Sequence, residues 1–437
     1  MNYYNLKDKK ETADFKAATI KGQGRDKGLF FPESIPPFDP QWIEDLHQFS
    51  NEDIAFQCMK DFVGNQVPAD ILRAIVSETV SFEIPLKKIS GNIYSLELFH
   101  GPTLAFKDIG ARFMSRCLSY FLKDENKKVT VLVATSGDTG GAVAHGFYKT
   151  PGVNVVILYP KNKVSMVQEK QLTTLGENIS ALEVNGSFDD CQNLVKQAFS
   201  DQEINADLFL TSANSINVAR WLPQQVYYLL ALKQWQKTEK QPPVISVPSG
   251  NFGNICAGIL AHLRGLPVEH FIAACNENDS VPRYLKTQEL LYHETVPTLS
   301  NAMDVGNPSN FVRISELFDN NFENIKNTIS GYSVNDEKTL QTIRKVYAKY
   351  HYLLEPHSAV AYAALEQYLE ENPGKKGFIL GTAHPVKFPE AIEKAVQIEI
   401  DIPGSLQGLM KKEKKSIEIQ PDFAELKRFL LTKSKGI

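Results

Sequence analysis

The stretch 98–108 reads Leu-Phe-His-Gly-Pro-Thr-Leu-Ala-Phe-Lys-Asp and ends with a lysine, Lys107, in an unusual place. Apolar residues at Ile109, Phe113, Met114, Cys117, Leu118 and Phe121 follow at helical spacing, so Lys107 is predicted at a helix entry just after a Gly-Pro turn. Cations favour the other end of a helix, and the positive N-terminal end pushes an ammonium towards its neutral, nucleophilic amine. Roughly 3 pK units, about 4 kcal/mol, separate an ordinary lysine from a largely neutral one at pH 7. Desolvation by Phe106 and Leu104 supplies part of that, and a Schiff base with an aldehyde removes the need. Taken alone, a lysine at a helix start is far more often a solvated surface charge.

Three further groups suit anions. Ser249, Gly250, Asn251, Phe252, Gly253 and Asn254 form a turn between an apolar run and a small-residue helix. Its backbone N–H groups and glycines make a phosphate cradle, with a plain strand-to-helix turn as the equal alternative. The turn is neither a Walker lysine loop nor a complete G-x-G-x-x-G. Thr135, Ser136, Gly137, Asp138, Thr139, Gly140 and Gly141 form a second donor-rich helix entry, suited to a small carboxylate. Asp138 is unexpected there, because an acid repels an anion. Asn214, Ser215, Asn217 and Arg220, with Lys161 and Lys163, form the third group, Arg220 as bidentate ligand and Lys163 as point charge.

The elements that must position these groups are alternating strands and helices. Expected strands are 129–134, 153–159, 179–184 and 208–211, with helices at 187–199 and 216–236 between and after them. A linker near 233–243 leads to strands 244–247, 270–275 and 377–381 and helices 336–350, 359–370 and 389–396, with a closing helix at 422–431. This pattern is α/β, with parallel sheets covered on both faces and right-handed connections. Residues 1–83 carry few strand signals: an extended passage at 28–32 and amphipathic helices at 39–47 and 51–62 mark an accessory region. In such folds ligands sit at the carboxyl ends of strands, where the three anion-friendly groups fall.

At 437 residues, 43% hydrophobic and 22% charged, the chain suits two or three domains. A net charge of −4 and a pI near 6.2 give no footprint for nucleic acid. Five scattered cysteines without a C-x-x-C pair suggest buried thiols in a reducing compartment, and nine histidines show no metal-ligand spacing. No leader pattern or membrane-length apolar run is seen, so a cytoplasmic, soluble protein is expected.

These motifs together make the chain resemble the threonine synthases, pyridoxal-phosphate enzymes of fold type II, the tryptophan-synthase β type. The resemblance runs through Tyr-Asn-Leu-Lys-Asp at 4–8, Gly-Leu-Phe-Phe-Pro at 28–32, the stretch 98–108, Thr-Ser-Gly-Asp-Thr-Gly at 135–140, Asn-Ser-Ile-Asn at 214–217, the turn 249–253 and Ser-Asn-Ala-Met-Asp-Val at 300–305. It implies two parallel-sheet domains with the cofactor between them: a small mobile domain at 123–225, a large one at 91–122 with 226–437, and an accessory region at 1–90. It further implies that Lys107 carries the cofactor's Schiff base, that Ser249 to Asn254 hold its phosphate, and that Thr382 meets its ring nitrogen. Thr135, Ser136 and Thr139 would meet the substrate carboxylate; Lys163, Asn214, Ser215 and Arg220 would hold the substrate phosphate. Asp138 stands where many fold type II relatives have Asn. The implied reaction turns O-phospho-L-homoserine and water into L-threonine and phosphate; no nucleic acid or membrane partner is expected, and monomer and homodimer both stay open. The rivals are a phospholyase releasing phosphate and ammonia, a serine or threonine deaminase, which has no phosphate to satisfy Arg220, and a non-catalytic binder of phosphorylated metabolites. A nicotinamide-dependent dehydrogenase lacks its fingerprint.

Overall fold

The computed structural model of the chain describes residues 1–123 and 128–435. Along the chain, β1 (Asn2–Asn5), β2 (Thr12–Asp14) and β3 (Phe30–Pro32) form a small antiparallel sheet in the order β2-β1-β3. The passage at 28–32 is therefore a paired strand: Tyr3, Tyr4 and Asn5 register with Pro32, Phe31 and Phe30. Pro32 ends the strand, where a missing N–H costs least.

Two larger sheets follow. β4 (Leu86–Lys88) and β5 (Ile93–Glu97) belong to the first. β6 (Val129–Ala134), β7 (Val153–Pro160), β8 (Ile179–Val184) and β9 (Phe209–Thr211) belong to the second, and β10 (Val244–Pro248), β11 (His270–Cys275), β12 (Ile329–Ser333) and β13 (Gly377–Gly381) return to the first. The first sheet has the order β12-β11-β10-β13-β5-β4, parallel throughout except for the antiparallel edge pair β4–β5. Its central strands read as continuous apolar runs because both faces are covered.

The second sheet has the order β14-β8-β7-β6-β9, all parallel, and its edge β14 (Ser416–Ile419) comes from the far end of the chain. Ile419, Leu426 and Leu430 pack with Leu182, Val184 and Leu194 in this domain's own core. The expected large domain at 226–437 is thus corrected: its last segment completes the smaller sheet. The edge β4 likewise lies in the larger sheet, inside the region assigned to the accessory segment.

The helix expected at 216–236 is broken. It runs as Val218–Trp221, a 3-10 turn Leu222–Gln224 and Gln225–Trp235. Pro223 lacks the N–H that a continuous helix needs and clashes with the preceding turn.

Candidate active site

The larger sheet puts three sequence motifs at neighbouring strand ends. β13 lies between β5 and β10, so the loop after β5, the segment after β13 and the turn after β10 are adjacent. The loop carrying Lys107 is zipped onto the β13 extension: Leu98 N donates to Gly381 O, Phe106 N to Thr382 O (2.9 Å) and His384 N to Leu104 O, with Ala105 and Ala383 bridged antiparallel. Leu104 takes φ +55°, a strained value for a branched residue, to make that turn. The geometry fixes Lys107 beside Thr382 through backbone bonds.

Lys107 opens the helix Lys107–Leu122 with no side-chain cap. Burial pushes its amine below the usual lysine range; Asp138 and Glu355 oppose this, and the cations Lys387 and Arg220 reinforce it. The next residue, Asp108, is buried and holds the loop by accepting from Thr103 N (2.9 Å) and Thr103 Oγ1 (2.6 Å). Thr382 Oγ1 lies 3.4 Å from Glu355 Oε1, a long contact. Glu355 caps its helix by accepting from His357 N, Ser358 N and Ser358 Oγ, and pairs with His357 Nδ1 at 2.6 Å.

In the turn after β10, side chains shape the loop and the backbone is left for a ligand. Ser249 Oγ donates to Val247 O and Ser249 N to Ala274 O; Asn254 Nδ2 donates to Pro248 O while its Oδ1 accepts from Ile255 N. Both side chains are thus engaged within the turn itself, which leaves its backbone N–H groups as the free donors. Asn251 anchors the 309–310 segment, its Oδ1 accepting from Ser309 Oγ and its carbonyl from Asn310. Phe252 sits at φ +60°, which splays the amides of residues 250–254 into a nest at the N-terminus of the helix Gly253–Leu263. Those five N–H groups have no backbone or side-chain acceptor among the described residues, apart from any a ligand brings. A Cβ on Gly250 would lie 2.8 Å from Met303 Cα, so only glycine lets the segment 300–305 close over the turn. An amine, a hydroxyl and an anion cradle on three adjacent strand ends fit pyridoxal phosphate.

The smaller sheet faces this cluster with its own carboxyl ends. After β6, Thr135 Oγ1 accepts from Gly137 N and Gly140 N, both at 2.9 Å. Thr135 is thus buried as the support of its turn, and Ser136 and Thr139 are the hydroxyls left partly exposed. After β7, Lys163 is exposed and its ammonium pairs with no described residue, whereas Lys161 is engaged by Glu418 of β14 at 2.8 Å. After β9, Asn214 is partly exposed, and Ser215 lies against the cradle: Asn310 Nδ2 donates to its Oγ at 3.0 Å, and a Cβ on Gly253 would stand 2.8 Å from its Cβ. Asn217 is fully buried and caps the helix that bears Arg220. Arg220 is 4% exposed and donates through Nη1 to Ala213 O; its Nε has no partner, and no carboxylate pairs with it among the described residues. Burial pushes it down to about 10 against the pull of Asp108. A guanidinium so placed demands an anion.

Sequence reasoning missed Lys387, Glu355, His357, Asn310 and Arg313. Arg313, fully buried, donates to Ser215 O, Ile216 O and Phe30 O, tying the Ser215 segment to β3. Only Glu355, before Pro356, carried a signal, that of a helix N-cap.

Three family models cover the chain: "Threonine synthase N terminus" over residues 2–80, "Pyridoxal-phosphate dependent enzyme" over 79–380 and "Threonine synthase, C-terminal" over 358–430. The chain is similar to a threonine synthase of Buchnera aphidicola subsp. Baizongia pistaciae, 46% identical over 434 residues, covering 99% of this chain and 100% of that one. It is similar in structure to threonine synthase from Escherichia coli, with TM-score 0.92, 44% identity and coverage of 99% and 100%. A pyridoxal-phosphate-bound threonine synthase from Brucella melitensis matches with TM-score 0.92, 33% identity and 99% coverage of both chains.

Proposed function

The chain belongs to the threonine synthase family, and from that premise we propose that it converts O-phospho-L-homoserine and water to L-threonine and phosphate with pyridoxal phosphate as cofactor. The C–O bond at Cγ breaks, phosphate leaves, and the elements of water add with the hydroxyl at Cβ. Bound pyridoxal phosphate supplies an electron sink for negative charge at the substrate's α-carbon. Lys107 would hold it through the amine, the N–H groups of residues 250–254 through its phosphate, and Thr382 at its ring nitrogen.

The chain's own groups then divide the work. Lys107, its basicity lowered by burial and by Lys387 and Arg220, is suited to remove and return protons at the substrate's Cα, Cβ and Cγ. Arg220 receives the substrate phosphate, with Ser215, Asn214 and Lys163 completing its shell. Ser136 and Thr139, at the N-terminus of the helix Asp138–Phe147, hold the substrate carboxylate, and Thr135 keeps their turn in shape. Closure of the smaller sheet over the larger excludes water until the phosphate has left. The five buried free thiols suit the cytoplasm, and no described helix is long and apolar enough to cross a membrane.

Arg220, buried beside the Lys107 cluster with no carboxylate to pair with among the described residues, is the observation that carries this reading over deamination, since serine and threonine bring no phosphate. Phosphate release with identification of the organic product tests it. Equal amounts of threonine and phosphate, lost in Lys107→Ala, are expected; a keto acid with ammonia would make the chain a phospholyase.

A further inference from the structure

Lys387 lies in the 3-10 turn Pro385–Lys387, six residues beyond the end of β13, and is fully buried. Its ammonium touches two groups from different parts of the cleft. It pairs with Asp138 Oδ1 of the smaller sheet's turn at 2.7 Å, and it donates to Thr103 O in the loop before Lys107 at 2.9 Å. A helix of the smaller domain, Met166–Thr173, reinforces both: Gln168 Nε2 donates to Asp138 Oδ1 at 2.9 Å and Gln171 Nε2 to Thr103 O at 3.0 Å. Thr103 is in turn held by Asp108, the neighbour of Lys107. All of these side chains are buried.

Resting on the reading above, we propose that Lys387 is a positioning residue for Lys107, bolting the loop that presents the amine to the Asp138 turn of the opposite sheet across one buried ion pair. This also accounts for an acid in an anion-binding turn. Asp138 is neutralised by Lys387 and does not face the substrate bare, so the turn's N–H groups keep their attraction for a carboxylate. Burial works against the Asp138 charge, but Lys387 and Lys107 outweigh it and hold the carboxyl well below its usual range. The charged groups facing Lys107 are Asp138 from the helix Asp138–Phe147, Arg220 from Val218–Trp221, Glu355 from the cap of Pro356–Glu371, and Lys387 itself. The bolt therefore places one cation and one anion beside the amine, and removing either must move its basicity in opposite directions.

The test is reductive methylation of the full-length, cofactor-free chain with formaldehyde, read by mass spectrometry of the peptide holding Lys107 across a pH series. Lys387→Met should slow labelling of Lys107 about threefold at pH 8, because a repelling cation is gone and Asp138 is left to favour the ammonium. Asp138→Asn should speed it by a similar factor, and the double variant should return close to wild type. A role in packing alone would not give opposite signs, and two shifts in the same direction, or none, would overturn the proposal. Each single variant leaves one buried charge unpaired and can fail to fold, so both are first checked for a native far-UV circular dichroism spectrum; where only Asp138→Asn passes, it and the double variant, which leaves neither charge unpaired, carry the test by themselves. Labelling that is speeded in the single variant and restored in the double supports the bolt; labelling unchanged in both refutes it. The outcome is independent of product identity, so it stands apart from the assay of the reaction.

Discussion

Arg220 decides, among single residues, what the cleft will accept. A buried guanidinium without a carboxylate is tolerated where an anion arrives to complete it. Arg220→Met should lower kcat/KM for the phosphorylated substrate roughly 10- to 100-fold, the worth of one or two charge-assisted hydrogen bonds. The melting temperature should change little, since no native ion pair is broken and the lost bond to Ala213 O is offset by relief from burying the charge. Arg220→Lys keeps the charge without the fork and should lie between, as steady-state kinetics and calorimetric titration with inorganic phosphate would read. The sequence singled out Lys107 by its place at a helix entry and Arg220 by the polar cluster after a strand, whereas Thr382 came from the family resemblance alone. Lys387 had neither signal. Nothing in a sequence marks a buried lysine whose carboxylate lies some 250 positions away in the chain.

At the scale of elements, the cradle depends on close backbone approach more than on side-chain donors. Gly250→Ala would put a methyl group 2.8 Å from Met303 Cα and 3.0 Å from Ala302 O, both on main chain that cannot swing away. Overpacking of this kind costs about 1–3 kcal/mol, and here it opens the turn from the 300–305 segment. Cofactor affinity should drop about tenfold or more in a spectrophotometric titration, with far-UV circular dichroism unchanged. The sequence located this turn, and the structure shows the Ser249 and Asn254 side chains bonded to neighbouring main chain. Hydroxyl and amide groups in tight turns satisfy neighbouring backbone first, and which of the two outcomes occurs depends on coordinates. The alternating strands were readable because buried parallel strands are uniformly apolar, whereas the short β1 and β2 and the exposed edge β14 lack that signature.

For the whole molecule, the exchange of its last segment to the smaller sheet makes the two halves interdependent. Ending the chain before Ser416 would strip β8 of its outer neighbour β14, leaving β7 on its other side, and expose the partners of Ile419, Leu426 and Leu430, each worth about 2 kcal/mol on burial. Hydrogen exchange of β8 amides should accelerate sharply while β10 and β13 stay protected. No local pattern announces such a return. Acid stability is a second whole-molecule property: His145, His270 and His384 are each pushed down to about 4, chiefly by burial. Their folded-state values lie below the unfolded value near 6.5, so their contribution is complete above that pH and is lost as pH falls towards 4. His270→Phe, which keeps the stack on Tyr368, should reduce the loss of stability between pH 7 and pH 4 by at most about 3 kcal/mol, measured by denaturant unfolding at each pH.

All of these expectations converge on one amine held at a junction of strand ends. Borohydride reduction of the cofactor-loaded protein, followed by peptide mass spectrometry, reads it directly. A phosphopyridoxyl group on the peptide bearing Lys107, absent from Lys107→Ala, is the predicted result; the group on any other lysine, or on none, would contradict the account.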